Sequence, residues 1–148
     1  MRCQLFDRDG KLAVDNVYWQ SQKDDDLGPR RNDSAMDLRQ DSWADMTALN
    51  TMPPAAVDVG ARRSEVGGES RVTIRVRNPS ERVALFERAT VSTARDGDEI
   101  LPIEYDDNYI TVFPSETAEI HAVLPKGAKP GWVRLEGYNT SVTSVPLP

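Results

Sequence analysis

Between Leu101 and Ala122 the chain reads LPIEYDDNYITVFPSETAEIHA. It gathers five carboxylates, Glu104, Asp106, Asp107, Glu116 and Glu119, beside Tyr105 and Tyr109. Paired carboxylates are the chemistry of glycoside hydrolysis: one protonates the leaving oxygen while the other attacks the sugar or activates water. The spacing argues against that use. Adjacent Asp106 and Asp107 cannot flank a sugar ring, and nothing nearby in sequence would raise one pKa as proton donation requires. In an alternating run these acids fall on outward strand positions or in turns, so surface and turn roles are expected, with Asn108 capping backbone groups. Tyr105, Tyr109, Trp132 and Tyr138 offer faces for a sugar-stacking platform. Aromatics also fill sandwich strands, and packing is the favoured reading.

Other reactive groups are sparse. His121 is the single histidine and Cys3 the single cysteine. A zinc site needs several nitrogen or sulfur ligands, and a disulfide needs a second cysteine. A serine triad would have to use His121, which sits in an alternating run and reads as an exposed strand residue. Asp24-Asp25-Asp26 lacks the sharp-turn glycine and closing glutamate of a calcium loop, so it reads as a solvated charge run. The expectation is therefore no catalytic, cofactor or metal residue. A net charge of −6 argues against a nucleic-acid partner, whose phosphates demand a basic face. No apolar run approaches the length of a membrane span, and MRCQLFDRDG lacks the pattern of a signal peptide.

The elements follow from periodicity. Arg2 to Phe6 and Lys11 to Trp19 read as two strands joined by an Asp7–Gly10 turn. Residues 20–40 are polar and aperiodic, a linker or long loop. Ser42 is the expected N-cap of a short helix bearing Trp43, Met46 and Leu49 on one face, stopped by Pro53-Pro54. Trp19 and Trp43 are expected to glue this linker to the domain that follows. From Ala55 on the pattern is β throughout. SRVTIRVRNPS alternates Val72, Ile74 and Val76 inward against Thr73, Arg75 and Arg77 outward. Further strands are expected in VDVGARRSE around Val57 and Val59, in VALFERATVST, at Ile100–Tyr105 and Tyr109–Phe113, in TAEIHAVL and WVRLEGYN, and in a last edge strand ended by Pro146. Seven or eight short strands at roughly ten-residue spacing give an all-β fold, an Ig-like antiparallel β-sandwich. The expected organisation is a terminal hairpin over 1–19, a linker with a short helix over 20–53 and the sandwich over 54–148.

Four stretches in order resemble one family. DGKLAVDNVYWQS, WADMTALNTMP, LPIEYDDNYITVFPSE and VRLEGYNT are similar to the C-terminal Ig-like domains of glycoside hydrolase family 2, in the exo-β-D-glucosaminidase branch. β-Mannosidases share that architecture. Ser115 stands where the family has glycine, and Tyr138 where it has tryptophan. In that family two glutamates of an upstream (β/α)₈ barrel carry catalysis, and no βα repeat occurs here. The resemblance thus implies a non-catalytic region that supports a barrel in cis or in trans, with hairpin 1–19 as the end of a preceding Ig-like domain. Its enzymes are usually secreted or periplasmic. Outward loops at 105–109 and 125–131 would be the places to meet an amino-sugar oligosaccharide, with Tyr105, Asp107, Asn108 and Trp132 as rim candidates. A free-standing carbohydrate-binding or interaction module is the alternative.

Overall fold

A computed structural model describes residues 1–27 and 40–148 and divides the chain into two units, Met1–Met52 and Pro53–Pro148. Residues 28–39 of the expected linker lie outside the described residues.

In the first unit, β1 (Arg2–Phe6) pairs antiparallel with β2 (Leu12–Val17). The Asp7 carboxylate accepts the Asp9 and Lys11 N–H groups at 2.9 Å each, and Gly10 takes φ 77°. A short polar side chain and a glycine thereby make the tight turn. Residues opposed across the ladder share a face, so Leu5 and Val14 lie on one side and Gln4 and Asp15 on the other. Asp15 accepts hydrogen bonds from Arg2 and Gln4. No described residue of this unit is buried.

The expected short helix is present, but its start and its cap are corrected. Ser42 caps nothing; its backbone bridges to Asp26. The helical turn is a 3₁₀ helix, Thr47–Thr51, and Asp45 accepts the Thr47 N–H at 2.9 Å and its hydroxyl at 2.6 Å. A short helix persists only when packing supports it, and Trp43 is 74% exposed.

The second unit holds β3 (Asp58–Val66), β4 (Glu69–Arg77), β5 (Ala84–Ser92), β6 (Glu104–Tyr105), β7 (Ile110–Val112), β8 (Thr117–Val123), β9 (Trp132–Glu136) and β10 (Thr143–Pro146). They form two antiparallel four-stranded sheets, β3-β4-β8-β6 and β10-β9-β5-β7. The β3–β4 turn is Gly67-Gly68, both with positive φ, the geometry a two-residue hairpin loop prefers. Val72, Ile74, Val76, Ile120 and Ala122 of one sheet and Ala89, Val91, Val112, Val133 and Leu135 of the other make one buried cluster. Apolar burial at ~25 cal/mol per Å² drives their assembly. The alternation therefore delivers an Ig-like sandwich.

Three details depart from expectation. The strand at Ile100–Tyr105 shrinks to its last two residues, because Pro102 has no N–H to place in a ladder. Thr73 is buried rather than outward-exposed, with its hydroxyl 3.3 Å from Nδ1 of exposed His121. In β5 the register shifts between Ala84 and Glu87, where Phe86 takes φ 55°. This bulge lets Ala84 and Glu87 both be buried.

Candidate functional site

Two acids of the acid-rich stretch, Asp106 and Asp107, serve turn chemistry, while Glu104 and Glu119 sit on β6 and β8. Asp106 Oδ1 accepts the His121 N–H at 2.7 Å and the Asp107 N–H at 2.9 Å, so it ties the loop to β8. Asp107 is exposed and accepts the Asn108 N–H. Asn108 brackets β5: its Oδ1 accepts from Ala89 N at 2.8 Å and its Nδ2 donates to Ala89 O at 3.0 Å. A side-chain amide there replaces a missing strand partner. The Tyr105 hydroxyl donates to Glu99 at 3.3 Å, and burial, then the Glu99 charge, push its pKa up. Glu99 pairs with Arg88 at 2.8 Å, which also reaches Glu136 at 3.1 Å.

Of the four rim candidates, Tyr105 and Asn108 are thus held by internal hydrogen bonds and half-buried. Trp132 is half-buried on β9, with the Arg95 guanidinium 5.8 Å from its ring centroid. It pairs with Ser92, three residues along β5 from Ala89, a distance of ~10 Å. Asp107 alone of the four is exposed. The most exposed aromatics of the second unit are Tyr109 at 59% and Tyr138 at 50%. Tyr109, like Phe86, holds a left-handed backbone, φ 57°. Among the described residues no three His, Cys, Asp or Glu side chains converge as a metal site would need.

The first unit carries a cleft of about 890 Å³. It is lined by Trp19, Lys23, Trp43, Asp45, Met46 and Leu49, among others. Its rim mixes one cation, one anion and two indoles, which suits packing or a polar ring equally.

Sequence reading missed a second set of residues, the clasps. Asn78 is wholly buried and donates to Arg82 O at 2.6 Å and Val112 O at 2.8 Å. Asn139 accepts from Leu85 N at 3.0 Å and donates to Pro53 O and Val83 O at 2.9 Å each. Glu87 is wholly buried opposite Gly137, and Thr140 donates to its Oε1 at 2.9 Å. A signal existed: strict alternation in ALFERATV puts Glu87 in line with Ala89 and Val91. Asn108 and Asn139 both fall inside the stretches quoted above, and in this chain their side chains act as loop clasps.

The comparisons with known proteins agree with this geometry. The model of the exo-β-D-glucosaminidase Ig-fold domain family matches residues 36–140. Exo-β-D-glucosaminidase of Amycolatopsis orientalis is 33% identical over 96% of this chain and 14% of its own length. That of Arthroderma benhamiae is 32% identical over 94% of this chain and 15% of its own length. The crystal structure of A. orientalis exo-chitosanase CsxA superposes with a TM-score of 0.83 at 32% identity, over 98% of this chain and 18% of that one. A variant of that enzyme in complex with PNP-β-D-glucosamine gives 0.82. The chain spans about one-seventh of the length of these curated relatives, in the Ig-fold region. Alternating strands, clasped loops and matching residues together place the chain in the exo-β-D-glucosaminidase Ig-fold domain family.

Proposed function

We propose that the chain is the non-catalytic C-terminal region of an exo-β-D-glucosaminidase-like glycoside hydrolase, and that it supports the catalytic region by packing against other domains of that enzyme. The observation that carries this reading is coverage: 98% of the chain superposes on 18% of a much larger hydrolase. The side chains are consistent with it. Asp106 and Asp107 of the acid-rich stretch serve as turn ligands, and the hairpin presents Leu5, Val14 and Tyr18 without cover from its own unit. An apolar face of that kind suits an adjoining sheet. The test is an assay of the purified chain on chitooligosaccharides. No glucosamine release is expected; release at a hydrolase rate would overturn the reading.

A second reading, a carbohydrate-binding module, draws on the exposed indole of Trp43 at the first unit's cleft and on Tyr109, Tyr138 and the rim residues Asp107 and Trp132. Isothermal titration with glucosamine oligomers separates the two. Saturable binding that Trp43→Ala or Trp132→Ala abolishes favours the module, and an absence of heat favours support alone.

A further inference from the structure

Glu87 is the one buried carboxylate among the described residues, and its surroundings fit a neutral acid better than an anion. Its Oε1 accepts the Thr140 hydroxyl, while Oε2 has no hydrogen-bond partner among the described residues. Across the ladder, Gly137 makes room for it: a Cβ there would fall 2.1 Å from Oε1 and 2.5 Å from Thr140 Oγ1. The turn over this carboxyl, residues 137–140, has a second task. Asn139 holds Pro53, Val83 and Leu85, its carbonyl accepts the Ala55 N–H at 2.9 Å, and Thr140 bridges to Ala55. The entry of the second unit and β5 are thus held by the same turn that closes over Glu87.

The charged groups nearest Glu87 are engaged with one another rather than with its carboxyl. β7 sets Ile110 against it, β5 flanks it with Phe86 and Arg88, and the turn supplies Gly137, Asn139 and Thr140. Arg88 and Glu136, one rung along, engage each other at 3.1 Å and belong to a partly exposed network with Glu99 and Arg134. Burial pushes the Glu87 pKa up, and only the Thr140 hydroxyl opposes that.

We propose that Glu87 is a proton-dependent latch: protonated, it lets turn 137–140 close on the Pro53–Ala55 segment, and deprotonation loosens that closure. The sign follows from linkage. A carboxyl with a higher pKa folded than unfolded costs nothing below its unfolded value, and stability falls as pH rises from there through the folded value. The anion would leave one unpaired oxygen in an apolar core.

The test uses the full chain. Thermal unfolding and amide exchange are followed from pH 4.5 to pH 8 for the wild type and Glu87→Gln, whose side chain resembles the neutral acid. The expected result is nearly equal Tm at pH 4.5 and a variant several degrees higher, ~3–6 °C, at pH 8. Over the same range the wild-type protection factors at Ala55 and Tyr138 should fall ~10-fold, while that of Ile74 in β4 holds. Parallel Tm curves, or Ala55 protection that does not change with pH, would overturn the latch. If the variant does not fold, carbon NMR of the wild-type Glu87 carboxyl decides. A midpoint above that of an ordinary glutamate sustains the proposal, and one at or below it ends it.

Discussion

The two units use the same vocabulary of alternating strands to opposite ends. In β4 and β8 the apolar positions Val72, Ile74, Val76, Ile120 and Ala122 are wholly inaccessible. In the β1–β2 hairpin Leu5 is 62% and Phe6 53% exposed, and no described residue of Met1–Met52 is buried. Alternation writes a strand in both places. Burial requires a second layer, and among the described residues only the second unit contains one. What the pattern decides is which face would be buried, not whether anything covers it.

The largest effect that tests this contrast is a pair of truncations. Ile120→Ala removes a wholly buried side chain from between two sheets, and an expected loss of about 3–4 kcal/mol follows from the transfer and cavity costs of such a change. Leu5→Ala in the hairpin should lie within about 0.5 kcal/mol of wild type, as exposed substitutions do. Chemical unfolding monitored by Trp132 fluorescence measures both. A hairpin variant as damaging as the core variant would break the contrast.

A smaller effect separates clasp from surface. Asn139→Ala leaves Leu85 N, Pro53 O and Val83 O without their side-chain partner. The Leu85 and Val83 groups are partly buried and cost about 1 kcal/mol or more each when unsatisfied, the Pro53 carbonyl is exposed and costs less, and a loss of about 2–3 kcal/mol is expected. Asp107→Ala removes a bond to its own neighbour in an exposed turn and should cost well under 1 kcal/mol. Equal losses from the two would mean that Asn139 is a bystander.

Much of this was legible in the chain itself. Val72, Ile74 and Val76 announce their face, Gly67-Gly68 announces a hairpin turn, and Asn108 in an acidic turn announces a cap. What was not legible depends on partners distant in sequence. The helix start at Ser42 failed because propensity and a three-residue stripe cannot substitute for packing. The Ile100 strand failed at Pro102, a local signal that the apolar run concealed. Asn78 reads as a turn residue, yet its amide spans to Val112 O across more than thirty residues, and no periodicity encodes that. Glu87 is the sharpest case. Its position in the alternation says inward and its chemistry says outward, and only the absent side chain at Gly137 reconciles the two.

The smallest effect concerns Ser115. Its φ is 65°, in the left-handed region, where a Cβ crowds the following carbonyl at a cost of roughly 1–2 kcal/mol. The turn requires that conformation: Ser115 N–H donates to Asn78 O at 2.9 Å, and Glu116 O accepts the Asn78 N–H at 2.9 Å, which closes the β4 exit against the start of β8. Ser115 is exposed, and among the described residues its hydroxyl has no hydrogen bond that offsets the strain. Ser115→Gly relieves the crowding, but the unfolded chain gains freedom, which returns part of the benefit. The net expectation is a gain of about 0.5–1 kcal/mol, seen as a Tm rise of ~2–5 °C for a domain of this size. Thr117→Gly, two residues on and inside β8, supplies the control: extended backbone there gives glycine nothing to relieve, so it should destabilise. If both glycines lower Tm alike, the left-handed turn is not a strained point of the sandwich. If they move it in opposite directions, the Ser115 turn is a place where stability can be recovered without touching the core.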